Sequence, residues 1–326
     1  MTGRTFDRRL LVLALLPLAI YALVYIVIDR ARPTGLEFAI IDPAEFAKVA
    51  AAEGQLRYYW LSAFVLLAAV SLAVAASAAM SLYRDAPRRD RGIIFGLVSL
   101  AAVAVIGSEV MGVAARWYTY LGEGLFETIF SQITVGGDGD LTLLQAFTIG
   151  QEVIKGSAAV ALLLLTAGLI VTLTRPPADA SFKARAQHIA AAALRQRTYL
   201  QHAALVYVFA MLSMLAWMYW PSPFLASDAV RNDYKDLVMG AAILQGTAFS
   251  LGVAAIYLPP ALLLRHRSTM LTSSIGPDTE LDPETEAAFE PLSVHPFDQF
   301  RQVAVMMMPV MVSLLPAVKD LWGVAV

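Results

Sequence analysis

Glu109 is the one ionisable side chain that falls well inside an apolar run, in Ile106-Gly107-Ser108-Glu109-Val110-Met111-Gly112. A carboxylate in hydrocarbon is costly, so it is expected to face a bundle interior or water, where it can carry a proton or ligate a cation. Arg116 follows two turns later on nearly the same helix face, too far along the axis to pair directly. Gly92, Gly96, Ala104, Ser108 and Gly112 stand at multiples of four along the same run. Small residues at that spacing let backbones approach closely, which predicts a helix packing face within the chain or between subunits.

The second chemically suggestive stretch runs from Leu121 to Gln151. Leu125, Phe126, Ile129, Phe130 and Ile133 form an apolar stripe at helical spacing, Thr134-Val135-Gly136-Gly137-Asp138-Gly139-Asp140 follows, and Thr142 with Gln145 can form a capping box for a second short helix. A short helix, a glycine-rich turn and another helix are what a re-entrant pore loop requires. Thr134-Val135-Gly136 is locally similar to the selectivity filter of potassium channels, whose carbonyl oxygens replace an ion's hydration shell. That resemblance implies an ion path near Thr134, Asp138 and Asp140. The likeness is confined to this loop, and Gly137 and Asp138 stand where the family has an aromatic residue and a glycine. The glycine–aspartate run also resembles half of a calcium-binding repeat. The other reading is an acidic surface turn between two helices lying at the outer interface.

Other chemistries lack their residues. There is no cysteine, hence no disulfide, thiolate metal site or cysteine nucleophile. His188, His202, His266 and His295 fall on or near one predicted side, with no pair three or four apart flanking a carboxylate, so no metal site is expected. No nucleophile-elbow serine or phosphate-binding loop occurs, and no catalytic group or cofactor is assigned. A net charge of −2 argues against nucleic acid as partner.

These residues are carried by a chain that is 58% hydrophobic and 15% charged, with mean hydropathy +0.64, far from a soluble domain of 326 residues. Six apolar runs, Leu10 to Ile28, Tyr58 to Leu82, Ile93 to Tyr118, Val153 to Thr174, Leu200 to Trp220 and Asp236 to Leu264, each reach the roughly 20 residues that span about 30 Å of hydrocarbon. The fold expected is an all-α polytopic membrane protein of six transmembrane helices plus a C-terminal re-entrant or interfacial hairpin. The basic residues concentrate in the N-terminus and in alternate loops. The positive-inside rule then puts the N-terminus in the cytoplasm, with a bacterial inner membrane as location. Tyr58, Tyr59, Trp60, Tyr83, Trp117, Tyr118, Tyr120, Trp217, Tyr219 and Trp220 fall at the expected interfaces.

Three parts are predicted: a membrane body over residues 1–264, an acidic linker over 265–296 and a membrane-associated segment over 297–326, with Phe297, Phe300, Ala304 and Met307 making an amphipathic approach. Asp42 with Pro43 predicts a short outer helix ending at Gly54, and Asp179 can cap an inner helix running into the fifth crossing, its basic face toward anionic lipid. Pro259-Pro260 should bend or end the sixth. Three functions fit this frame: a permeation protein using Glu109 and the second outer loop, a membrane interaction or signalling subunit recruiting a cytoplasmic protein, and an intramembrane enzyme. The expected partners are the bilayer, further copies or other members of a membrane complex, and that cytoplasmic protein.

Overall fold

The computed structural model describes residues 7–31, 36–110, 121–122, 124–135, 141–177, 179–273 and 296–316. It is all-helical: α1 (Leu15–Ala31), α2 (Ala50–Asp85), α3 (Arg88–Val110), α4 (Leu125–Phe130), α5 (Leu143–Val171), α6 (Phe182–Met218), α7 (Asp228–Ser273) and α8 (Pro296–Ser313), with a small hairpin pairing β1 (Thr134–Val135) to β2 (Leu141–Thr142). Four helical stretches, Pro43–Asp85, Leu143–Val171, Phe182–Phe224 and Asp228–Ser273, are long and apolar enough to cross a membrane. The apolar run in and before α1, Val12–Val24, is shorter, and α3 reaches the limit of the described residues at Val110. Val65 and Leu72 on α2, Val103 on α3 and Leu262 on α7 are exposed. Such side chains gain nothing from water, and lipid is the solvent that suits them.

Contacts between helices give their directions. Arg195 reaches Asp85 while Trp220 reaches Glu53, so α6 runs antiparallel to α2. Gly150 lies under Trp60 and Gly168 under Tyr199, so α5 runs with α2. Arg267 donates to the carbonyl of Leu173, which brings the end of α7 to the end of α5. The result is an up-and-down bundle with a basic end and an aromatic end. Small residues let the helices approach: Ala78, Ala161 and Ala203 are fully buried in the central core, and Gly252 receives the ring of Tyr207.

Over the aromatic end, the segment before β1 folds inward as a cap. Leu121, Leu125, Phe126, Ile129 and Phe130 are all buried, and Phe130 packs against Phe147 and Trp220 with ring centroids 5.6 and 4.8 Å away. Gly124, at φ 74, supplies the left-handed turn that starts α4. An amphipathic helix lying flat at the interface would leave one face to lipid; here the apolar stripe is used up by the protein's own rings.

Several local expectations change for physical reasons. Gly54 does not stop its helix: a 3-10 turn over Pro43–Val49, capped by Asp42, continues directly into α2 because the helix buries Glu53 and Trp60 beyond it. The capping box of Thr142 and Gln145 is present, yet it opens the long α5 rather than a separate short helix. Ser181, not Asp179, caps α6, which does run unbroken into the apolar segment. Pro259 and Pro260 lie inside α7, which continues to Ser273, so the region expected as linker begins as helix; residues 274–295 lie outside the described residues. Of the segment expected as a re-entrant or interfacial hairpin, Pro296–Ser313 is one helix packed against α6 and α7, where Gly246 and Ser250 leave room for it at short range; residues 317–326 lie outside the described residues. Pro309 sits within that helix.

A polar seam as candidate functional site

On α2, Glu53, Trp60, Ser71 and Asp85 fall on one line: 7, 18 and 32 residues separate the last three from the first, close to whole numbers of 3.6-residue turns. On α6 and its terminal turn, Arg195, His202, Ser213 and Trp220 are spaced by 7, 11 and 7 residues and likewise share one face. Hydrogen bonds at both ends set the two lines against each other there.

At the aromatic end, Glu53 is 6% exposed and holds both nitrogens of a bidentate Arg57, Nε at 2.9 Å and a terminal nitrogen at 2.8 Å, while Trp220 Nε1 donates to Glu53 Oε1 at 3.0 Å. At the basic end, Arg195 donates to Asp85 Oδ2 at 2.5 Å. Beside that pair, Gln196 Nε2 donates to Thr172 Oγ1 at 2.9 Å and His188 Nε2 sits 2.8 Å from the carbonyl of Thr174. Together with Arg267 on the Leu173 carbonyl, His188 engages a carbonyl just past the C-terminus of α5, where positive charge is also favoured, while Gln196 reaches a hydroxyl there.

Between these ends the seam carries polar atoms that have no hydrogen-bond partner: Trp60 Nε1, Ser71 Oγ, His202 Nδ1 and Ser213 Oγ, all buried. Gln245 Oε1 on α7 and Gln151 Nε2 on α5 share that condition. Each such atom costs about 1–3 kcal/mol relative to a bonded one, so a bundle that holds several on one line bears a cost that apolar residues would have avoided. The seam therefore offers hydrogen-bonding capacity, with an acid and a base at each end.

Replacing Arg195 by alanine leaves Asp85, 15% exposed, with only the exposed Arg84, whose Nε lies 3.3 Å from Oδ1, as its cation. A loss of about 1–3 kcal/mol is expected. It would be read as a lower unfolding temperature in detergent, and Asp85→Asn in the Arg195→Ala background should recover part of it.

Of the pore and packing candidates singled out by sequence, none that is described lies on the seam. Glu109 is in the last turn of α3, while the side chains of Glu109 and Ser108 lie outside the described residues, as do Gly112, Asp138 and Asp140 altogether. Thr134 is exposed and paired with Thr142 in the hairpin, so its local backbone is engaged in a strand ladder. Gly92, Gly96 and Ala104 are exposed, and a Cβ added at either glycine meets nothing within 4 Å. Within this chain α3 packs against α5 instead, with Ile94 buried. His202, assigned to one side of the membrane by its nearness to the start of an apolar run, stands on α6 two turns beyond Arg195, or about 10 Å deeper. The signal for the seam was available as the 7- and 11-residue spacing of single polar residues through apolar helices.

No protein family, no characterised protein and no solved structure matches this chain.

Proposed function

We propose that this is a permeation protein, a channel or small transporter, in which the seam between α2 and α6 is the path. The observation that supports the reading is the line of unpartnered polar atoms, Trp60 Nε1, Ser71 Oγ, His202 Nδ1 and Ser213 Oγ, between two charged ends. A passing polar species would replace water's hydrogen bonds with these, as selective pathways do. In this reading α1 and α3 complete six crossings with the four long helices, and the basic end faces the cytoplasm of a bacterial cell. Glu109 on α3 serves as a further intramembrane acid, and Thr134, Asp138 and Asp140 stand at the outer mouth.

The test is flux through the purified chain in liposomes, for protons, sodium and potassium in turn. Transport above empty vesicles is expected, and Ser71→Leu, which fills the seam with an apolar side chain, should reduce it at least tenfold while the protein still unfolds cooperatively. No flux of any of these ions, or full flux through Ser71→Leu, overturns the reading.

A second reading, a membrane subunit that assembles with other chains, draws on the open space at Gly92 and Gly96. Cysteine cross-linking at those two positions distinguishes it, since only assembly gives disulfide-linked copies or complexes.

A further inference from the structure

We infer that the species carried along the seam is the proton and that His202 is the residue that carries it. This rests on the permeation reading and goes beyond it by naming the cargo and its carrier. Within their apolar stretches the helices around His202 hold no acid, lysine or arginine: none occurs between Arg57 and Arg84 on α2, between Lys155 and the end of α5, between Arg197 and the end of α6, or between Asp236 and Arg265 on α7. His202 is the one side chain in those stretches that changes charge near neutral pH.

The seam geometry puts this histidine where a relay needs it. Its face of α6 is the face that meets Asp85 and Glu53 at the two ends, and its Nδ1 is buried with no partner. The charged groups on the helices that pack against α6 lie toward their two ends. On α2 they are Arg84 and Asp85 toward the basic end and Glu53 and Arg57 at the other. On α6 itself they are Arg195, Arg197, Tyr199 and Tyr207, and on α5 Glu152 and Lys155. On α7 they are Tyr257 within the apolar stretch, Asp236 toward the aromatic end and Arg265, His266 and Arg267 at the basic end, and on α8 Arg301. The carboxylate on the His202 face at the basic end, Asp85, is already paired with Arg195.

In the step itself, neutral imidazole accepts a proton at Nδ1 and becomes imidazolium. It then releases the proton on Nε2 toward the opposite end, and return to the starting tautomer completes the transfer with one proton in and one out.

The experiment uses the full chain in liposomes loaded with a pH-sensitive dye, with a potassium diffusion potential as driving force. Wild type is expected to acidify the lumen, and His202→Gln to lose at least tenfold of that rate. Nitrogen NMR of the wild-type imidazoles is the second readout, with the His202 signal identified by its disappearance in His202→Gln; it should titrate with external pH between about 5 and 8. Undiminished proton flux in His202→Gln, or a His202 ring that keeps one protonation state across that range, overturns the inference. Flux of sodium or potassium without protons overturns it while leaving permeation standing, and flux of nothing overturns both. Should His202→Gln fail to fold, the ring titration decides alone, read in a chain whose other three histidines, His188, His266 and His295, are replaced by Gln so that His202 is the sole imidazole.

Discussion

Gly246→Ala is expected to be among the most destabilising single-methyl changes available in this chain. A Cβ at Gly246 would stand 2.5 Å from Ser313 Oγ, 2.7 Å from Ser313 Cβ and 3.0 Å from the Pro309 carbonyl oxygen. The first obstacle is a short side chain already tied to α8 by its own bond to the Val310 carbonyl at 2.7 Å, and the last is backbone. Neither can swing aside, so α8 as a whole has to move, and with it goes the hydrogen bond from Val310 N to Ser250 Oγ at 3.3 Å. Overpacking of this kind costs about 3 kcal/mol or more, at the upper end of what added methyl groups cost in cores. The measurement is thermal unfolding in detergent. Combining Gly246→Ala with Ser313→Gly removes two of the three close contacts, so the double variant should regain at least about 1 kcal/mol. An unchanged unfolding temperature in Gly246→Ala would show that the two helices do not approach this closely.

The second large effect is expected at Glu53. Its carboxylate is the common acceptor for Arg57 and Trp220, and Glu53→Ala leaves a guanidinium and a buried indole N–H without partners. Arg57 is 28% exposed and can recover part of its hydration, whereas Trp220 is fully buried and cannot. The loss is expected to be about 2–4 kcal/mol. Glu53→Gln keeps an acceptor for Trp220 and should cost less than half as much. Tryptophan fluorescence follows both, because Trp220 lies 5.3 Å from Trp60 and 4.8 Å from Phe130 by ring centroid. If the two variants unfold alike, the charge on Glu53 contributes and its hydrogen bonds do not.

The apolar runs already announce helices in a membrane, because length and composition alone meet the requirement that lipid imposes on every backbone polar group. Local caps were equally legible at Asp42 and at Thr142 with Gln145, since a cap is a contact between residues at most three apart. Stops were not. Gly54 and the Pro259-Pro260 pair disfavour helix, yet both lie within helices, because the packing of long flanking faces outweighs the cost of one or two poor residues.

Pairing across the bundle depended on tertiary structure. Spacing by 18 and 32 residues aligns Glu53 with Ser71 and Asp85, and by 7 and 18 Arg195 with His202 and Ser213, but periodicity does not say which neighbour a face meets. The choice of α2 as the partner of α6 rests on contacts between residues 110 and 167 positions apart. The same holds for α8, whose apolar, proline-containing sequence suits a surface hairpin as well as a packed helix. One face of it packs on α7, with Pro309 and Ser313 buried, because Gly246, some 60 residues away, leaves the space that a side chain would have filled, while Phe300, Val303 and Met311 stay exposed. By itself the sequence determined the solvent and the helical class, which follow from composition and short-range periodicity. Only the tertiary structure decided where the lone polar groups converge, since that depends on close approach between helices distant in the chain.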